Sequence, residues 1–180
     1  MKRRTVLMLV TTTLVVIIAG VLTARQFSAP VNVNEISEPP PLAKYPAGMT
    51  QSADRVHLQL ASGADDQELV VTLNIDDGWH VNANPASLDF LIPTTVTTRI
   101  AGKPVASQAA YPPGESAGIS LQDTDIKVYE NDTDIPLHLD PAVTDQMDQG
   151  APLTVSVRVQ SCNDTGVCLA PSDLTQTVNR

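Results

Sequence analysis

Along residues 51–180 apolar and polar positions alternate in short runs. Val56, Leu58 and Leu60 alternate with His57 and Gln59. Leu69, Val71, Leu73 and Ile75 alternate with Val70, Thr72 and Asn74. Leu153, Val155, Val157 and Val159 alternate with Thr154, Ser156 and Arg158. A period of two puts one face of each run in a core and the other in water, so these runs predict strands. Weaker patterns predict further strands at Trp79–Ala83, Thr94–Ile100, Ile126–Glu130, Asp134–Leu139 and Leu174–Val178. Turn-forming groups separate them, among them Ser62-Gly63, Asp76-Asp77-Gly78, Ala101-Gly102, Pro112-Pro113-Gly114 and Gln149-Gly150. No window after the N-terminal segment shows an apolar face of helical period, so no helix is expected there. Seven or more short strands at this spacing predict an all-β fold, an immunoglobulin-like antiparallel β-sandwich. Both cysteines follow the single Trp79, so they cannot form the inter-sheet bridge usual in that architecture.

The N-terminus departs from this pattern. Met1-Lys2-Arg3-Arg4 precedes an uncharged stretch from Thr5 to Ala24. Basic residues ahead of an apolar run of this length predict one signal or transmembrane helix with the remainder of the chain outside the cytosol. Leu22-Thr23-Ala24 and Phe27-Ser28-Ala29 each place a large residue where a signal cleavage site wants a small one, which favours a retained anchor. Three parts are therefore expected: an anchor at 1–24, a Pro-rich linker at 25–50 and a domain at 51–180. Pro30, Pro39, Pro40, Pro41 and Pro46 make the linker extended. The expected location is the inner membrane of a bacterial cell, single-pass, with the domain facing the periplasm, or the periplasm itself if the signal is cleaved. Lys2, Arg3, Arg4 and Arg25 are four of the eleven basic residues, while all 20 acidic residues lie beyond them, so the exported part sets 7 positive against 20 negative charges, a net −13. Such a surface repels phosphate backbones, and nucleic acid is excluded as a partner.

The candidate chemistry is a pair of cysteines six positions apart, Cys162 and Cys168. Cys162 directly follows the clearest strand pattern and Cys168 precedes Pro171. The pair is thus expected on the loop of a C-terminal hairpin, with Asn163-Asp164-Thr165-Gly166 as its turn. Two readings stand side by side. A disulfide there could be a staple, worth about 2.4 kcal/mol by the chain-entropy argument. It could equally be a thiol–disulfide exchange couple, since a short loop leaves sulfur within a partner's reach. Asp164 and Asp173 are the nearest charges in sequence, and both would raise a thiol pKa rather than lower it. A copper or zinc site would need His57, His80 or His138, but none has ligand spacing to the thiols, and no metal or cofactor is expected.

Further residues carry a resemblance. Asp77-Gly78-Trp79-His80-Val81-Asn82-Ala83-Asn84-Pro85, Phe90-Leu91-Ile92-Pro93, Tyr111-Pro112, Tyr129-Glu130, Ile135-Pro136-Leu137 and Gln160-Ser161-Cys162 through Cys168-Leu169-Ala170-Pro171 resemble the N-terminal periplasmic domain of the DsbD family of thiol:disulfide interchange proteins. The resemblance implies a carrier of reducing equivalents. It would take them from a membrane or thioredoxin-like donor and pass them to periplasmic acceptor proteins through Cys162 and Cys168. Cys168 would form the mixed disulfide with partners, and Cys162 would resolve it. Well-known members have aromatics where this chain has His80 and Asn82, and a capping loop whose Phe shields the disulfide. Leu121, Gln122 and Asp123 fall at about the place of that loop, so Leu121, Gln122 and Tyr129 are candidate shielding residues. The rival reading is an anchored β-sandwich that docks a partner protein and whose disulfide is structural. A copper-handling protein is a third.

Overall fold

The computed structural model describes residues 51–180; the expected anchor and linker lie outside the described residues. The alternating runs become strands in the expected places. They are β1 (Val56–Ser62), β2 (Glu68–Ile75), β3 (Trp79–Asn82), β4 (Thr95–Ile100), β8 (Thr124–Tyr129), β9 (Asp132–Leu139), β10 (Leu153–Val159) and β12 (Ser172–Val178). Short or polar segments add β5 (Lys103–Pro104), β6 (Ser107–Ala109), β7 (Glu115–Leu121) and β11 (Ser161–Asn163).

All named strand pairs are antiparallel and make three four-stranded sheets, ordered β1-β2-β9-β6, β12-β10-β4-β5 and β11-β3-β8-β7. The alternation explains the layering. In β2 Leu69, Val71, Leu73 and Ile75 are buried, and in β10 so are Leu153, Val155, Val157 and Val159. These two inner faces meet in one core with Val56, Ile100, Ile135, Leu137 and Leu139, while Val81 and Tyr129 join it from the third sheet. A face of four fully buried Val and Leu side chains contributes on the order of 6–12 kcal/mol before chain entropy is set against it.

One expectation is corrected. A helix is present, α1 (Pro141–Asp148). It spans two turns, and only Val143 and Met147, four apart, give it an apolar edge. Its start is specified by capping instead. The Asp140 side chain accepts a hydrogen bond from Ala142 N at 2.9 Å, and Pro141 occupies the first turn. Among the described residues no helix is long and apolar enough to cross a membrane.

Candidate functional site: the cysteine hairpin

Asn163 builds the loop that holds the two cysteines. Its side-chain oxygen accepts hydrogen bonds from Thr165 N (3.1 Å), Thr165 Oγ1 (2.8 Å) and Val167 N (2.9 Å). Its own N donates to Val167 O, and Gly166, at φ 85°, donates from N to Asn163 O. Gly166 lacks the Cβ that makes a positive φ costly for L-residues. The chain reverses there, and Cys162 and Cys168 come directly opposite each other as an antiparallel pair, Cα to Cα 3.9 Å, joined by a disulfide. The expected hairpin is thus present, and the turn residues have the expected role.

The two cysteines do not share one environment. Cys162 is buried, 5% exposed, whereas Cys168 is exposed. The difference follows from pairing. Cys162 lies in β11, which is laid against β3 with Ser161 opposite Val81, Cys162 opposite His80 and Asn163 opposite Trp79. Cys168 lies on the outer arm, next to Val167, which is 56% exposed. An attacking group can approach Cys168 from solvent but meets Cys162 only behind it.

The root of the hairpin is stitched to the start of the domain. Ser52, in a short 3-10 turn (Ser52–Asp54), is fully buried. Its hydroxyl accepts from Ser161 N at 2.8 Å and donates to Ala170 O at 2.8 Å. Its N also donates to Ala170 O, and Ser161 Oγ donates to Ser52 O at 3.3 Å. One serine therefore holds the residue before Cys162 and a residue two beyond Cys168. No local sequence signal marked it, because its partners lie more than a hundred positions away.

His80 is the other residue that the spacing argument passed over. Paired residues on neighbouring antiparallel strands project from the same face with Cβ atoms about 5 Å apart. His80 is therefore next to Cys162, and Asn82 follows on the same face. The His80 side chain is 5% exposed, and its Nδ1 lies 3.9 Å from Asp164 Oδ1, too long for a hydrogen bond. Burial pushes the imidazole below its usual pKa, while the carboxylates of Glu130 and Asp164 work against that shift. Asp173, counted in sequence as an uncompensated charge near the thiols, is paired with Arg158 at 3.2 Å. His57 and His138 sit elsewhere, exposed, near Asp76 and Glu68 respectively. Among the described residues no group of three metal-ligating side chains comes together.

Of the candidate shielding residues, Leu121 and Gln122 belong to the β7 end of the third sheet and Tyr129 to β8. Leu121, 42% exposed, ends β7, and Gln122 and Asp123 form the β7–β8 turn with φ of 49° and 59°. β7 and β11 are opposite edges of their sheet, with β3 and β8 between them. Tyr129 is in the core, 3% exposed. Its hydroxyl accepts from Asn84 N at 3.1 Å and donates to Pro112 O at 3.0 Å, which fastens the segment after β3.

Comparison with known proteins bears on this hairpin. Residues 49–180 match the family described as the N-terminal part of the thiol:disulfide interchange protein DsbD. Among solved structures, the crystal structure of the Neisseria meningitidis DsbD N-terminal domain in the reduced form is similar at 18% identity and TM-score 0.51, over 73% of this chain and 90% of that one. A second similar structure is the complex between the DsbD and PilB N-terminal domains of Neisseria meningitidis, at 20% identity and TM-score 0.48, over 68% of this chain and 80% of that one. No curated protein matches the chain.

Proposed function

Because the chain belongs to the family of DsbD N-terminal domains, we propose that Cys162 and Cys168 are its thiol–disulfide exchange couple. In this reading reducing equivalents come from a membrane or thioredoxin-like donor and pass to extracytoplasmic acceptor proteins. Residues 1–24 hold the domain at the periplasmic face of the inner membrane.

The observation that carries the reading is the unequal exposure of the two cysteines. A donor thiolate attacks Sγ of Cys168; the intramolecular S–S bond breaks, and Cys162 leaves with the electron pair and takes up a proton. A second donor thiol then releases Cys168 and completes the donor's own disulfide. In the outward direction the Cys168 thiolate attacks an acceptor disulfide, one acceptor thiol departs, and Cys162 attacks Cys168 to release the other. Two electrons and two protons move, and no cofactor takes part. Val167 beside Cys168 supplies exposed apolar surface for a partner to cover. The proposal does not rest on shielding by Leu121, Gln122 or Tyr129.

The test is trapping. Cys162→Ser keeps the reachable sulfur and removes the one that resolves, so it accumulates mixed disulfides with thioredoxin-like proteins on a non-reducing gel. Cys168→Ser accumulates far fewer. If neither variant traps a partner while both lose stability, the disulfide is a staple and the docking-module reading replaces this one. A reduction potential below about −300 mV for the pair has the same consequence.

A further inference from the structure

We propose that His80 is the proton acceptor that activates Cys162 for the resolving step, with Asp164 steadying the imidazolium that forms. The proposal rests on the exchange reading above and adds to it the residue that moves the proton.

Cys162 has a difficulty that Cys168 does not. To resolve a mixed disulfide it must attack as thiolate, yet it is 5% exposed and an ordinary thiol is mostly protonated at neutral pH. Water has little access to take that proton. The residue directly across the strand pair is His80, on the same face and itself 5% exposed at the side chain. A base works best when its pKa lies near the working pH, which suits imidazole better than a carboxylate. Asp164, 74% exposed, lies 3.9 Å from the imidazole on the side of the hairpin turn. The charged groups whose fields reach His80 are Glu130, just after β8, and Asp164, and both favour its protonated form. Burial keeps the resting imidazole neutral and able to accept a proton.

With Cys168 joined to an acceptor, the Cys162 thiol gives its proton to His80. The Cys162 sulfur then attacks Sγ of Cys168. The Cys162–Cys168 bond forms, the bond from Cys168 to the acceptor breaks, and the electron pair leaves on the acceptor's sulfur, which takes the proton back from the imidazolium. The domain is oxidised by two electrons and the acceptor is reduced by two. When a donor runs the exchange in reverse, the donor's thiol gives its proton to His80 as its sulfur attacks Cys168, and the imidazolium so formed protonates the departing Cys162.

The experiment uses the full chain, reduced, mixed with one equivalent of the aryl disulfide dithionitrobenzoate. Attack by Cys168 releases one coloured thiolate, and resolution by Cys162 releases the second, so the two steps are seen separately. In His80→Gln the second release slows by about 10-fold or more and loses its inflection with pH, while the first keeps its rate. In Asp164→Asn, a change at an exposed position, the inflection of the second release moves to lower pH. The proposal is overturned if His80→Gln resolves at the wild-type rate. It is overturned equally if the slowing is the same at every pH with the inflection intact. Should His80→Gln not fold, an unmoved inflection in Asp164→Asn overturns it. A Cys162→Ser variant that trapped no thioredoxin-like protein, while the wild-type chain showed the His80-dependent second release, would sink the carrier reading and leave the proton assignment standing.

Discussion

Ser52 makes the most demanding prediction, because one hydroxyl holds both arms of the cysteine hairpin. In Ser52→Ala the Ser161 N–H loses its acceptor in a fully buried position, and Ala170 O loses one of two donors. A buried donor left unpaired costs about 1–3 kcal/mol. The carbonyl keeps its bond from Ser52 N, so its share is small. The expected loss is roughly 2–3 kcal/mol, which for a domain of about 130 residues corresponds to a Tm lower by roughly 6–10 °C. Ser161→Ala is the control. It removes only a 3.3 Å bond from Ser161 Oγ to Ser52 O and leaves the backbone contacts in place, so it costs no more than about 1 kcal/mol. The assay is thermal unfolding of both variants by circular dichroism, oxidised and reduced. The reduced form keeps the difference, since none of these hydrogen bonds involves sulfur. If Ser52→Ala melts no lower than Ser161→Ala, the hairpin is not held from its root and the reasoning fails.

Three further outcomes follow from the same structure. Tyr129→Phe leaves Asn84 N without its acceptor and lowers stability by about 1–2 kcal/mol in urea unfolding, with little change in m-value because the core volume is kept. His80 is held below its ordinary pKa by burial, so the unfolded chain binds its proton first as pH falls. Its contribution to stability is full above about pH 6.5 and is lost as pH drops through the folded-state value; melts of wild type and His80→Gln should converge toward acid pH, and a constant gap would contradict this. Asp140→Ala removes the cap on Ala142 N and costs about 1 kcal/mol, read as a lower urea midpoint, and Asp140→Asn restores most of it.

Local pattern explains why so much of the fold was legible. Leu69 to Ile75 and Leu153 to Val159 each state their own inner face, and every segment expected as a strand contains one. The turn from Asn163 to Gly166 is also self-contained, since Asn163 binds residues two and four beyond it. β7 was hidden for the opposite reason. Most of its residues are exposed, so no alternation of burial marks it. α1 was missed because two buried apolar residues are too few to show a period, and only the Asp140-Pro141 start announced it.

The site divides along the same line. That Cys162 and Cys168 meet could be expected from a turn of four residues, but local pattern does not say which cysteine is buried. That is set by β11 lying against β3, a pairing across some eighty positions whose register no local pattern encodes. The same register turns His80 from a scattered histidine into the cross-strand neighbour of Cys162. A one-residue slip would set Trp79 or Val81 opposite Cys162 instead and turn His80 to the other face. Ser52 guards against that slip, since it binds Ser161 N at the residue where β11 begins. The buried serine and the proposed proton acceptor are therefore coupled. A variant that frees the root of the hairpin should weaken the pH inflection of the resolving step even though it changes no titrating group.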